Sequence, residues 1–215
     1  MFKHFHTIIF ITLLLGFSLI TFHSQAQSYY GYPQRDLSMG LTINPNIGWM
    51  RYDDDRYSSE AKVGYSYGLL ADIGFAPNYY FSTGFMINTL ESSLNSGSHS
   101  EIAAREYRLQ YAEVPIAIKL KTNENQYGRF YGQFGFTAGV KVSGKEKYED
   151  ANSYSKIDGD AIVRLGLQIG AGAEWRISNS LHFLTGISYN NGFTEALKEG
   201  SPKLSYLGLQ FGLLF

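Results

Sequence analysis

From residue 37 to the last residue, side chains alternate between apolar and polar with a period of two, stretch after stretch. In residues 130–144, FYGQFGFTAGVKVSG, one set is Phe130, Phe134, Phe136, Ala138, Val140 and Val142. The interleaved set is Tyr131, Gln133, Gly135, Thr137, Gly139, Lys141 and Ser143. Strict alternation means a strand, because successive side chains point to opposite faces. Residues 37–49 set Leu37, Met39, Leu41, Ile43, Ile47 and Trp49 against Ser38, Gly40, Thr42, Asn44, Asn46 and Gly48. Residues 61–75 repeat the pattern with Val63, Tyr65, Tyr67, Leu69, Ile73 and Phe75 against Lys62, Gly64, Ser66, Gly68 and Asp72, and residues 79–90 oppose Phe81, Phe85 and Ile87 to Ser82, Gly84 and Asn88. Residues 106–121 set Val114, Ile116, Ile118 and Leu120 against Glu113, Pro115, Ala117, Lys119 and Lys121. Residues 160–177 are the cleanest run, with Val163 through Ile177 opposing Arg164, Gly166, Gln168, Gly170, Gly172, Glu174 and Arg176. Residues 181 to about 192, and 204–215, complete eight predicted strands. Two irregularities stand out. Pro45 has no amide hydrogen and belongs at a bulge or an unpaired position. Leu109 and Tyr111 fall on the polar face, which reads as a bulge in the fourth strand.

The connections alternate as well. Ala76-Pro77-Asn78 and Ser178-Asn179-Ser180 read as tight turns, and residues 122–129 as a modest one. Between them fall longer polar loops at residues 51–60, 92–105, 145–159 and 194–203. Short turns at one end and long loops at the other are the asymmetry of an outer-membrane barrel. The expected fold is all-β: one eight-stranded, antiparallel, up-and-down transmembrane β-barrel over residues 27–215, with both chain ends on the short-turn, periplasmic side.

The contents of the polar face decide which side meets lipid. It is built of Gly, Ser, Thr, Asn and Gln with sparse charges of both signs, the filling a narrow eight-stranded lumen accepts. The apolar face carries no charge, and aromatics mark its ends: Trp49 near the loops, and Tyr79, Phe81, Phe130 and Trp175 near the turns. Aromatic girdles around an aliphatic band match the two interfaces of a bilayer. Composition points the same way, since Tyr (17), Phe (15) and Gly (23) are abundant and Pro (5) is scarce, which suits long strands. The alternative is a soluble, lipocalin-like barrel, whose interior is apolar and whose exterior is polar.

Residues 1–26 read as a signal peptide, with Lys3 ahead of an apolar run from about Ile8 to Phe22 and small residues at Ser24 and Ala26; Gln27 starts the mature chain. The run is shorter than the roughly 20 residues a membrane-anchoring helix needs, and no basic stop-transfer cluster follows. With no cysteine, neither a lipoprotein anchor nor a disulfide scaffold is available. The formal net charge of −1 becomes −2 without Lys3, and nothing in it suits nucleic acid. The destination read from these features is the outer membrane of a Gram-negative bacterium, with outer-membrane lipid and lipopolysaccharide as the surroundings.

Residues 111–121, YAEVPIAIKLK, resemble a strand of the PorT-like outer-membrane β-barrel family, with Ala112 where that family usually carries Leu. FYGQFGFTAGV and the closing FGLLF are similar to it too. The wider class is that of small eight-stranded barrels such as OmpX and the OmpA membrane domain. The resemblance covers nearly all of the mature chain and implies the barrel fold. For some members it implies help in protein secretion across the outer membrane. The terminal Phe215, with Leu207, Leu209, Phe211 and Leu213 on its face, resembles the C-terminal signal read by the barrel-assembly machinery.

Candidate chemistry is sparse. Asp72, Lys119, Glu174 and Arg176 are expected together in the periplasmic half of the lumen, with Glu113, Lys141 and Arg164 above them. Opposite charges away from bulk water must pair, so this constellation reads as a salt-bridged plug, or else as a narrow ion path. Barrel lipid hydrolases use a His-x-Ser pair, which this chain lacks, and His182 reads as a hydrogen-bonded filler. Asp53, Asp54, Asp55 and His99 lie in neighbouring loops but read as solvated rim residues, and the Asp run lacks calcium-loop spacing. No catalytic, cofactor-binding or metal residue is assigned, and no cofactor is expected. The loops at 92–100 and 145–156, rich in Ser, Asn and Tyr, suit adaptable recognition of a protein partner. The expected function is a non-enzymatic structural, surface-binding or secretion-accessory role; the alternative is a narrow small-solute or ion channel, and an outer-membrane lipid or peptide hydrolase comes third.

Overall fold

The computed structural model describes residues 37–52, 57–96, 104–148, 153–157, 162–198 and 200–215. The leader and the Asp53–Asp55 and His99 positions lie outside these residues. Nine strands follow one another: β1 (Leu37–Arg51), β2 (Tyr57–Ala76), β3 (Tyr79–Ser96), β4 (Arg105–Lys121), β5 (Gly128–Tyr148), the two-residue β6 (Ser155–Lys156), β7 (Val163–Arg176), β8 (His182–Gly192) and β9 (Lys203–Leu214). Every long strand pairs antiparallel with its chain neighbour, and β1 pairs with β9, so eight strands close a ring. β6 only flanks the upper part of β5. Closure removes the unpaired strand edges that an open sheet would expose.

The alternation turns outward as the composition of the polar face requires. Along β1, Leu41 and Ile43 are 57% and 59% exposed, whereas Thr42, Asn44 and Asn46, of the opposite parity, are buried. β4, β5 and β7 repeat this with Ile116, Phe134 and Ile169 outside and Lys119, Gln133 and Gln168 inside. A lipocalin-like barrel needs the opposite faces, so that alternative falls.

Both strand prolines sit where the ladder can spare a donor. The β1–β9 register keeps its phase from Ile43↔Phe211 to Asn46↔Gly208 but skips Asn44 and Pro45; Pro45 is thus unpaired on that side, without a bulge. Pro115 likewise falls in a gap of the β3–β4 ladder, between the Thr83↔Ile116 and Met86↔Glu113 pairs. At the turn end, Pro77 and a left-handed Asn78 (φ 67°) close the two-residue β2–β3 connection. This is the residue chemistry of a type II turn. Gly128 opens β5 at φ 137°, where a Cβ would run into the Glu174 carbonyl. Asn125 folds the preceding turn by accepting the amides of Tyr127 (2.8 Å) and Gly128 (3.1 Å).

The wall is uneven. β5 parts from β7 at the Val140↔Val163 pair and continues to Tyr148, and β2 starts several residues beyond its last pairing with β1 at Lys62. The eight-residue overhang of β5 raises that side by about 20 Å, taking ~2.6 Å of height per residue for a strand tilted near 40°. The raised side consumes much of what the alternation pattern assigns to loops: β3 runs on to Ser96, and β5 and β6 take parts of residues 145–159. The bulge also moves. The register slips between Gln110↔Ser143 and Tyr111↔Lys141, so the extra residue is Val142 of β5 and not a residue of β4.

Candidate functional site

Three layers fill the lumen. Nearest the turns is an alternating ionic chain. Lys119 Nζ lies 3.0 and 2.9 Å from the two Asp72 oxygens, and Lys121 Nζ bridges Asp72 and Glu174 at 2.8 Å each. Arg129 Nε closes on Glu174 at 2.6 Å. Ser82 donates to Asp72 at 2.6 Å, and the Tyr80 and Tyr131 rings lie under Lys121 and Lys119 at 4.2 and 4.9 Å. The chain is three cations and two carboxylates, all buried apart from the edge of Arg129. Tyr131, Leu70, Leu184 and Leu214 pack together beside it, with Met86 against them.

Above lies a hydrogen-bonded path across the barrel. Asn46 donates to Asn88 (3.1 Å), Asn88 to Glu113 (3.0 Å), and Arg164 to Glu113 (2.8 Å) and Asn190 (2.5 Å). Asn190 donates in turn to Thr137 at 2.7 Å. Glu113 and Arg164 therefore pair directly, with the Tyr206 ring 5.2 Å from the guanidinium. Most polar atoms of the path are satisfied, Asn46 Oδ1 and Arg164 Nε being the two that find no partner among the described residues, and a network of this kind favours one register.

The third layer, at the loop end, is apolar. Met50, Leu90, Leu94, Tyr107, Leu109, Tyr111 and Leu204 bury inward, and the β8–β9 loop folds back to add Ala196 and Leu197. Lys141 holds this loop down by donating to the Ala196 carbonyl at 2.7 Å. Leu109 and Tyr111 are thus the lining of an apolar cap, not the mark of a bulge.

Two placements differ from the alternation reading. Arg176 is not in the lumen: β7 ends there, and the side chain turns out to Glu124 of the β4–β5 turn, 2.6 Å from Nε. His182 joins the same carboxylate at 3.0 Å. Those contacts hold Glu124 below its ordinary carboxylate range: partial burial pushes it up, and the hydrogen bonds from His182 and Arg176 outweigh it. Lys141 stands in the cap layer, above the Glu113–Arg164 pair. Lys121 and Arg129 also belong to the ionic chain: Lys121 lies on the polar face in the sequence and so carries a signal for the lumen, whereas Arg129 falls in a segment that reads as a turn.

Tyr79, Phe130 and Trp175 project from the outer wall at the turn end, and Trp175 Nε1 is satisfied by Thr185 Oγ1 at 2.8 Å. Phe81 is half-buried there, and Trp49 stacks on Tyr189 toward the loop end with ring centroids 6.2 Å apart. Phe215 lies beside the closing seam, its backbone exchanging bonds with Met39 at 2.7 and 2.9 Å, while its ring is 65% exposed.

A closed eight-stranded ring, apolar outside and polar or packed inside, defines a transmembrane β-barrel of the outer-membrane kind. The sequence model of the family described as "Outer membrane protein beta-barrel domain" matches residues 23–198, and the chain belongs to that family. Solved structures are similar to the chain at low identity. OprG from Pseudomonas aeruginosa is 12% identical, with a TM-score of 0.50 over 86% of this chain and 98% of its own. Ail, the attachment invasion locus protein of Yersinia pestis, solved with the heparin analogue sucrose octasulfate, is 16% identical with a TM-score of 0.43, covering 84% and 99%. Neisserial surface protein A is 10% identical with a TM-score of 0.46, covering 82% and 95%. No curated protein sequence matches the chain significantly.

Proposed function

We propose that this chain is a non-enzymatic barrel that works at its extracellular rim, by surface recognition or as an accessory to a secretion complex. One observation carries the reading: the lumen is filled in three successive layers, while the β2–β5 side of the wall stands well above the β7–β9 side. A filled lumen leaves little for transport to use, and a raised, strand-supported rim is a rigid platform for loops that bind. The secretion-accessory form of the reading rests on the PorT-like resemblance of residues 111–121. In the same reading the leader is removed after Ala26, Phe215 addresses the chain to the barrel-assembly machinery, and a protein partner meets the rim.

The test is purification from native membranes in mild detergent, with co-purifying proteins identified by mass spectrometry. A stoichiometric partner that is lost when residues 145–156 are replaced by a short turn supports the rim reading. A barrel that carries no protein in either form overturns it.

A further inference from the structure

Successive rows of the β3–β6 wall change character with height. Ile87, Ala112 and Val140 stand opposite one another in one row. Two residues higher the row is Thr89, Gln110 and Ser143, with Gln110 donating to Thr89 at 3.3 Å. The next is Glu91, Arg108, Lys145 and Lys156. Apolar, then hydroxyl and amide, then cationic: the order follows a lipid from its acyl chains through its linkage region to its phosphates.

The cationic row is the anomaly. Arg108 pairs directly with Lys145, and Lys145 directly with Lys156, so three cations lie side by side on neighbouring strands. Like charges in directly opposed positions destabilise a sheet. Glu91 is the one carboxylate of the row, and it takes only Nε of Arg108, at 2.7 Å. The Tyr154 ring packs on that guanidinium at 4.7 Å and holds its plane, while its terminal nitrogens have no partner among the described residues. Lys145 and Lys156 are exposed. The bulge at Val142 is what puts Lys145 in this row, since without the extra residue the alternation would turn it to the other face. The row above is balanced by contrast: Lys62 bonds Glu106 at 3.1 Å, with Lys147 and Glu60 beside them.

Height fits as well. From Leu120, the lowest outward residue of β4, to Arg108 is about 30 Å at ~2.6 Å per residue, slightly above the roughly 25 Å apolar band of such barrels. Arg108, Lys145 and Lys156 therefore stand at headgroup level of the leaflet on the loop side.

We propose that Arg108, Lys145 and Lys156 form a binding site for a phosphate of a phosphorylated glycolipid in the outer leaflet, with Gln110 and Ser143 facing its sugar. Arg108 supplies the planar fork and the lysines supply flexible charge.

The barrel is reconstituted in bilayers containing bisphosphorylated lipid A, extracted in mild detergent, and weighed by native mass spectrometry. The wild type is expected to keep lipid A, and the K145Q/K156Q and R108Q/K145Q/K156Q variants to keep it about tenfold less or worse. K62Q/K147Q, in the balanced row, is expected to change retention less than about twofold. Dephosphorylated lipid A is expected to be retained no better by the wild type than by the triple variant. Unchanged retention in K145Q/K156Q, whose fold is checked by heat-modifiable gel mobility, overturns the site. Equal retention of phosphatidylglycerol overturns the glycolipid assignment, leaving a site for any anionic headgroup.

Discussion

Removing Asp72 and removing Lys121 disturb the same ionic chain in opposite ways. In Asp72→Asn the Lys119 ammonium loses its counter-charge and keeps only a neutral amide oxygen and the Tyr131 ring, and Lys121 is left with Glu174 as its one carboxylate beside the Tyr80 ring. The buried excess rises from one positive charge to two, in a layer where Lys119 and Lys121 have essentially no exposure. Orphaning one side of a buried pair costs about 3–5 kcal/mol. Lys121→Met instead removes the excess charge: Asp72 keeps Lys119 and Ser82, Glu174 keeps Arg129, and the chain becomes two neutral pairs. Its expected effect lies within about 1 kcal/mol of the wild type, because an uncharged isostere gives up attraction and desolvation together. The separation between the variants, about 3 kcal/mol, is roughly a hundredfold in the unfolding equilibrium. Reversible urea unfolding in vesicles, followed by Trp49 and Trp175 fluorescence, measures it. If Asp72→Asn costs less than 1 kcal/mol, or the two variants are equal, the chain is water-screened and the lumen is not sealed at this level.

Three other outcomes probe the remaining layers. Leu197→Ala empties part of the apolar cap and is expected to lower stability by about 2 kcal/mol or more, with faster proteolysis of the β8–β9 loop; unchanged cleavage would mean that the loop is not docked. Glu124 is held below its ordinary 4.5 by His182 and Arg176, so its contribution is present above that pH and lost as pH falls through its folded value. Hydrogen-exchange protection at residues 122–127 is expected to drop on acidification in the wild type and to be flat in Glu124→Gln. In planar bilayers at neutral pH the purified barrel is expected to be silent, and a resolved unitary conductance would refute the filled lumen.

The faces of the strands were legible because the barrel imposes a period of two and admits only small or polar side chains inside. What the alternation missed lies where that rule is broken by height. Leu109 and Tyr111 look like errors of phase, yet they line a cap that exists because Leu197 folds in from a loop that is polar on average. Arg176 has the right parity for the lumen, but parity loses its meaning where β7 ends and the turn carboxylate of Glu124 is nearer. Arg129 shows the converse, since β5 begins one residue before it, at Gly128, and so points the guanidinium at Glu174. The Val142 bulge could not be located from sequence, because both of its neighbours, Lys141 and Ser143, are polar and fit either phase.

These placements bear on how the chain finds one register. The outer face cannot select it, because hydrocarbon accepts Leu, Ile, Val and Phe in any order and has no shape for them to match. A slip of one residue, however, would turn Asp72, Glu113, Lys119 and Glu174 from the lumen into lipid, at a cost of several kcal/mol each. The ionic chain and the Glu113–Arg164 path therefore act as the register code of the barrel, at two heights and across seven of the eight strands of the ring. Above the Val142 bulge the constraint is lifted. There β4 and β5 meet water or headgroups on their outer side, where a single charge is solvated in either phase. Three adjacent cations are tolerated in that region because nothing in the folding code depends on them, and they are informative for the same reason: a ligand, not the fold, is what calls for their alignment.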